Sequence, residues 1–301
     1  MGTKPTRIAI IGPGAIGGAF AGAALQAGHR IEIAARSAFD TLHVEYPGGA
    51  VSGAVHALSE PSAVGPAPIV LLGTKVHQTP AAAAWLRALC GPGTVLAVLQ
   101  NGVEHRETVA PYVPHGVHVL PTMVACPAHR DGPGRIHVIG PARLDIPVGP
   151  GSAELLAAFA GSFAEVRAVD DFVTSSWAKL VMNAASGGIG VLTRRGNLVL
   201  QDEEIGKLFV AIALEVVAVG RAEGAQLSDD LPARMLANVR RSLSAHAPSI
   251  VVDRLAGLPT EWRARNDVVL RKAAQHRIHV PFNHMITTLI RMGEPADDAG
   301  G

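Results

Sequence analysis

The segment that most restricts the fold is Gly12-Pro13-Gly14-Ala15-Ile16-Gly17, set between the apolar run Arg7–Ile11 and a small-residue stretch, Ala15–Ala27, with helical periodicity. The run before it has the near-continuous hydrophobicity of a strand buried on both faces. A glycine at the strand end allows a tight turn. A second lets backbone come close to a bulky anion, and a third lets the helix pack against the strand it has just left. The free N–H groups and partial positive charge of the helix N-terminus then face that anion. A glycine-rich hexapeptide alone is a weak signal. Between a strand and a helix it specifies the first βαβ unit of a dinucleotide-binding sheet, with Gly12, Pro13, Gly14, Ala15, Ile16 and Gly17 around the pyrophosphate.

The rest of the first half extends that unit. Ile31–Ala34, Ile69–Gly73 and Thr94–Leu99 read as further buried parallel strands, with a helix near Pro80–Cys90. Between about residues 115 and 150, Val117–Pro121, Arg135–Ile139 and Leu144–Val148 read as strands without helices, broken by the turn Asp131-Gly132-Pro133-Gly134. They are expected to add antiparallel at one edge. After Val169 the period becomes helical: Phe172–Leu192, Glu203–Glu223, Ser228–Ala245, Glu261–His276 and Phe282–Met292. Asp202 and Ser228 fit N-caps, and Pro259 and Pro281 sit near helix starts. The predicted fold class is α/β: a Rossmann-type dinucleotide-binding domain with a mostly parallel sheet over residues 1–170, then an all-helical substrate and catalytic domain over 171–301.

Composition removes other classes. Of 301 residues, 48% are hydrophobic and 17% charged, enough for a core that needs no disulfides. Lys and Arg number 26 against 25 Asp and Glu, a net charge of +1, which argues against a dedicated nucleic-acid binder. The pairs Arg240-Arg241 and Arg263/Arg265 lack interleaved aromatics and do not restore that reading. Apolar stretches are interrupted by Arg87 and Glu215 before reaching the ~18 residues of a membrane span. Lys4 and Arg7 ahead of an apolar run, with Ala21-Gly22-Ala23 behind it, imitate a signal peptide, but Gly12-Pro13-Gly14 interrupts the run. Met1-Gly2-Thr3-Lys4-Pro5-Thr6 fits a short myristoylation pattern and reads better as a tail before the first strand. Cys90 and Cys126 form no disulfide framework and suit a reducing, cytoplasmic location. Among the 13 histidines, His129 lies near Cys126, His115 near His118, and His43 near Glu45, without paired metal-ligand spacing. No metal is expected, and no Gly-x-Ser-x-Gly elbow marks a serine hydrolase.

The second strand ends in Ala34-Ala35-Arg36. An acid there would accept from a ribose 2′-OH, whereas Arg36 offers a guanidinium fork to a 2′-phosphate. The alternative acid, Glu32, lies mid-strand. The cofactor expected is NADPH/NADP+, unless Arg36 is an idle loop charge. Carbonyl reduction also needs a donor that neutralises the developing alkoxide. In Ser176-Trp177-Ala178-Lys179-Leu180-Val181-Met182-Asn183, Lys179 and Asn183 share one helix face. Lys179 fits the general acid; the plain alternative is a solvent-facing lysine.

With these residues the chain resembles the ketopantoate reductase (2-dehydropantoate 2-reductase) family over nearly its whole length, from the glycine turn to about Asn283. Gly73-Thr74-Lys75 resembles the family's strand-end lysine, Gln100-Asn101-Gly102 its Asn-Gly loop, and Thr122-Met123-Val124-Ala125 its Thr-x-x-Ala segment. Lys179 and Asn183 match its Lys-x-x-x-Asn helix, and Asn197, Ser249 and Thr260-Glu261 its later polar positions. The resemblance implies NADPH-dependent reduction of a 2-keto acid to a 2-hydroxy acid in pantothenate biosynthesis. Lys75 and Ala125 would hold the cofactor and Asn101 would bridge cofactor and substrate. Lys179 would donate the proton, with Asn183, Asn197 and Ser249 on the substrate. Glu261 would sit near the cofactor ribose or the lysine, where a carboxylate favours the charged ammonium; it also fits a helix-start charge partner. A homodimer is compatible with this reading, and the sequence leaves the oligomeric state open.

The departures lie on the substrate side. Gly187, followed by Gly188 and Gly190, stands where the family often has a second asparagine. Trp262-Arg263 replaces Ile-Asp, and Asn266-Asp267 replaces Asn-Gly. Arg194-Arg195, before Gly196-Asn197, could bind a carboxylate or simply end a helix. Two other readings stay open: a related oxidoreductase acting on another hydroxy or imino acid, and a non-catalytic NADPH sensor.

Overall fold

In the computed structural model, which describes residues 5–242 and 247–295, strand β1 (Arg7–Ile11) leads through the glycine turn into helix α1 (Ala15–Gln26) and back into β2 (Arg30–Ala34). Lys4 of the N-terminal pattern and Ala245 at the expected end of one helix lie outside the described residues. A hairpin follows, β3 (Thr41–Tyr46) and β4 (Gly49–Ala54), closed by the two-residue loop Pro47-Gly48 with Gly48 at φ +103°. Then come β5 (His56–Ala57), β6 (Ile69–Leu72), α2 (Ala83–Leu89), β7 (Val95–Val98), α3 (His105–Val109) and β8 (His118–Pro121). The unit ends with β9 (Met123–Ala125), β10 (Ala128–Gly132), β11 (Arg135–Val138), β12 (Ala142–Pro147), α4 (Ser152–Phe159) and β13 (Ala164–Val169).

The main sheet has six strands in the order β5-β2-β1-β6-β7-β8, parallel throughout. Ile8 on β1 stands opposite Ile31 on β2 and Ile69 on β6, and all three are buried. Burial on both faces is why these strands read as unbroken apolar runs. The later strands do not add antiparallel at one edge. β8 joins β7 in parallel, because the chain crosses over through α3 between them. β11 belongs to a separate four-stranded sheet, β10-β11-β3-β4, where it pairs parallel with β3. β12 lies between β13 and β9 in a third sheet.

Helix α1 is buried from Gly17 to Ala24 because it packs against strands of both the six- and the four-stranded sheet. An apolar surface on every side is what such a position demands. Its glycines set the spacing: a Cβ on Gly22 would lie 2.4 Å from Val44 Cγ2, and one on Gly18 2.6 Å from Ile136 Cγ1.

The chain divides into two compact units, Met1–Phe172 and Val173–Gly301. The described residues of the second unit contain no strand. They form α5 (Phe172–Thr193), α6 (Glu203–Ala222), α7 (Leu231–Ser242), α8 (Ser249–Leu255), a π-helical turn (Arg263–Asp267), α9 (Val268–His276) and α10 (Pro281–Met292). Asp202 caps α6, its carboxylate accepting from Ile205 N at 3.0 Å. Ser228 does not cap α7, which begins three residues later after a turn closed by Leu231 N on the Ser228 carbonyl, 3.2 Å. At the start of α10, the Glu215 carboxylate of α6 accepts from the backbone N–H of Phe282 and Asn283, at 3.0 and 2.8 Å. This satisfies two of the donors that a helix start leaves open. No helix among the described residues is long and apolar enough to cross a membrane.

Candidate active site

The glycine turn is a set of backbones in contact. Gly12 has φ +80°, and a Cβ on it would lie 2.8 Å from Thr74 N. A Cβ on Gly17 would lie 2.4 Å from the Gly12 carbonyl oxygen, and one on Gly73 would lie 2.8 Å from Gly17 Cα. The turn after β1 is therefore locked against the end of β6, and Gly73 is part of the device though the sequence motif does not include it. Gly14 differs: nothing lies within 4 Å of where its Cβ would be. Gly14 is the N-cap of α1, which has no side-chain cap and no acid in its first turn. The space and the donors both suit an anionic group.

The other expected cofactor residues follow the ends of neighbouring parallel strands, the edge at which sheets of this type bind ligands. Arg36 is exposed just past β2, whose end is tied to the turn by Gly12 N on the Ala34 carbonyl, 3.0 Å. The alternative acid Glu32 is 3% exposed and paired inward with Arg7 and Arg30, each at 3.4 Å. Lys75 follows β6, with its backbone N–H on Gln78 Oε1 at 3.2 Å. Asn101 follows β7. Beside it, the buried Gln100 donates through Nε2 to Thr74 Oγ1 (3.2 Å) and Thr79 Oγ1 (2.9 Å), joining the two loops. Gln100 is a residue that sequence reasoning missed, although it stands in the Gln-Asn-Gly segment. Ala125 is placed apart, at the end of β9 in the three-stranded sheet opposite Arg143.

In the second unit, Lys179 and Asn183 lie half-buried one turn apart near the middle of α5. Glu261 is buried just before the π-helical turn, and its Oε2 stands 3.8 Å from Nη2 of the buried Arg265. Nη2 also donates to Ser249 Oγ at 2.8 Å. Burial first, and then the Arg265 charge, push the Lys179 ammonium down to about 8, against the opposing pull of Glu261. The carboxylate acts in the expected direction, but desolvation outweighs it and the net shift is downward. Glu261 is held from behind: the Glu294 carboxylate accepts from Thr260 N (2.9 Å), Thr260 Oγ1 (2.7 Å) and Arg254 Nη2 (2.7 Å). Asn266, with no exposed surface, donates to the Ala184 carbonyl at 3.0 Å and ties the π-helical turn to α5. Asn197 lies beyond the C-terminal end of α5, after Arg194 in the left-handed region at φ 57°.

Of the departures from the family pattern, two face outward. Arg263 lies over the Trp262 ring, 5.5 Å from its centroid, and Asp267 accepts from Arg271 at 2.9 Å. Gly187 faces inward. The cysteine and histidine groupings do not converge. Cys126 and Cys90 are buried thiols pushed up to about 12 by burial, while His129 stacks on His137 and pairs with Asp131 at the surface. Among the described residues, no three His, Cys, Asp or Glu side chains are placed to hold a metal ion.

A parallel sheet with an uncapped helix N-terminus at its ligand-binding edge, together with a helical unit carrying a desolvated lysine beside a carboxylate, defines a dinucleotide-dependent oxidoreductase of the α/β-plus-helical type. Residues 8–151 match the family described as Ketopantoate reductase PanE/ApbA, and residues 171–294 its C-terminal counterpart. The chain belongs to the ketopantoate reductase family. It is 40% identical to a 2-dehydropantoate 2-reductase of Caulobacter vibrioides, over 95% of this chain and 98% of that one. A 2-dehydropantoate 2-reductase of Mycobacterium tuberculosis is 34% identical over 95% of this chain and 97% of its own. The crystal structure of a PanE/ApbA family ketopantoate reductase from Ralstonia eutropha JMP134 superposes with a TM-score of 0.87 at 29% identity, covering 96% of this chain and 98% of that one.

Proposed function

We propose that this chain reduces 2-dehydropantoate (ketopantoate) to pantoate with NADPH, a step of pantothenate biosynthesis. The observation that carries the reading is Lys179, an ammonium whose acidity burial brings to about 8 beside Glu261. A proton donor works best with an acidity near the working pH.

The residues present fit NADPH. The open space at Gly14 and the uncapped α1 take the pyrophosphate, Arg36 takes the 2′-phosphate, and Glu32 is committed elsewhere. Lys75, Asn101 and Ala125 complete the cofactor side. When bound, the reduced nicotinamide supplies a hydride to the keto carbon. Lys179 then gives its proton to the keto oxygen as negative charge develops there. Asn183 and Asn197 hydrogen-bond the substrate's hydroxyl, Asn101 reaches it from the cofactor side, and Ser249 donates to the carboxylate. Glu261 helps keep Lys179 charged. In this scheme residues 1–170 form the cofactor domain and 171–301 the substrate domain. The two buried free thiols suit the reducing cytoplasm.

The test follows NADPH absorbance with ketopantoate and a panel of other 2-oxo acids, against NADH as competing cofactor. Ketopantoate with NADPH is expected to give the highest kcat/KM. Lys179→Ala is expected to lose about 10²–10⁴-fold in kcat with NADPH binding kept. Undiminished turnover in that variant would overturn the mechanism. A clear preference for a different acid would support the second reading, a related 2-hydroxy acid oxidoreductase, which the missing side chain at Gly187 favours.

A further inference from the structure

Arg265 is the one arginine among the described residues that is fully buried, with 3% of its surface exposed. A guanidinium carries five N–H donors and no acceptor. Here Nη2 uses a donor on Ser249 Oγ, and the Glu261 carboxylate stands beyond hydrogen-bonding distance at 3.8 Å. Nε is buried with no acceptor among the described residues. Nη1 points at α5 where the chain has only Gly187, 3.9 Å from the place a Cβ would take. The buried Glu261 and Asp253 carboxylates offset the charge through space, but a buried guanidinium with a single hydrogen bond among the described residues is still costly, and an apolar residue would fill the space at less expense in stability. Such an arrangement needs a purpose other than packing.

The purpose lies in what Arg265 does to Ser249, its one hydrogen-bonded neighbour among the described residues. Ser249 is exposed at the first position of α8. Its hydroxyl has a single proton. Because Oγ already accepts from a group with no acceptor of its own, that proton has to point away from Arg265, toward solvent. We propose that Arg265 is a positioning residue for the substrate carboxylate: by donating to Oγ it fixes Ser249 as an outward donor, so that the site takes the anion of a 2-oxo acid and discriminates against its neutral amide. The inference rests on the reading above that Ser249 meets the carboxylate.

The experiment measures kcat and KM for ketopantoate and for the corresponding 2-oxo amide in the wild type, Ser249→Ala, Arg265→Met, Arg265→Lys and the Ser249→Ala/Arg265→Met double variant. Arg265→Met is expected to lower kcat/KM for the acid about thirtyfold, mostly through KM, and to leave the amide within about twofold, the scale of one charge-assisted hydrogen bond. Ser249→Ala is expected to lose the same preference, and the double variant to lose no more than Arg265→Met alone. Arg265→Lys restores part of it. Affinity for NADPH stays unchanged throughout. In Arg265→Met the high-pH fall of kcat also moves upward, because Lys179 loses a positive neighbour. Ser249 is exposed, so its alanine variant remains a test even if Arg265→Met fails to fold. Equal losses for acid and amide would assign Arg265 a merely structural role and overturn the proposal. Wild-type turnover with the acid preference intact in both single variants would overturn it while leaving the proposed reaction standing. No NADPH oxidation by the wild type with any 2-oxo acid would overturn both.

Discussion

A lysine used as a proton donor has to remain charged where burial favours the neutral amine. At Lys179 the two demands are set against each other by named neighbours: burial and Arg265 favour the neutral amine, and Glu261 favours the ammonium. The outcome, about 8, keeps most of the population protonated at neutral pH while weakening the hold on the proton. The sign of the pH dependence follows directly. The active form is the ammonium, so kcat should be level below about pH 8 and fall about tenfold per unit above it, in a single limb. Glu261→Gln removes a group that opposes the shift. Its limb should therefore start at lower pH than the wild type's, with a smaller kcat at neutral pH. A limb that stays in place would separate Glu261 from Lys179. A pH–rate profile of each protein at saturating NADPH and ketopantoate makes the comparison.

At the scale of elements, glycines that look alike in sequence divide by what a Cβ would meet. Gly22 sits in the packed face of α1, 2.4 Å from Val44 Cγ2, whereas Gly14 faces open space at the start of the same helix. Gly22→Ala should destabilise the protein by ~1–3 kcal/mol through overpacking, measured by chemical denaturation. Gly14→Ala should leave stability nearly unchanged and weaken NADPH binding, measured by titration. What the sequence revealed divides on similar grounds. β1, α1 and β2 were legible because burial on both sides makes each a run of apolar residues. The β3–β4 hairpin was not, since Gly49–Ala54 is small and exposed and shows no clean alternation. The strands after residue 115 stand out as apolar runs but not with their partners, because an apolar run carries no record of which strand it pairs with. The π-helical turn lies inside an apolar period that predicts plain helix, and the tie from Asn266 to the Ala184 carbonyl joins residues 82 apart that no local pattern connects. Lys179 and Asn183 could be found from a spacing of four. The Arg265–Ser249 contact could not, since it joins residues 16 apart across the whole of α8.

At the scale of the molecule, the residues assigned to the cofactor and those assigned to the acid belong to different compact units, so their energetics should separate. Gly14, Arg36, Lys75 and Asn101 fall in Met1–Phe172, and Lys179, Ser249, Glu261 and Arg265 in Val173–Gly301. A ligand that binds only the folded form stabilises it by ~2.7 kcal/mol at a hundred times its Kd. For domains of this size that corresponds to a rise of roughly 5–10 °C in Tm. NADPH should thus raise the Tm of the wild type, and NADH should do so less, because it has no 2′-phosphate for Arg36. Arg36→Ala should erase most of the difference between the two cofactors without changing the Tm of the free protein, since its side chain is exposed. Arg265→Met should behave in the opposite way, with an altered Tm when free, a buried charge having been removed, and an unaltered NADPH increment. If Arg36→Ala keeps the full preference for NADPH, the 2′-phosphate is read by another residue. If Arg265→Met diminishes the NADPH increment, cofactor and substrate recognition are coupled rather than divided between the units. Melting curves of the three proteins with and without each cofactor decide both points.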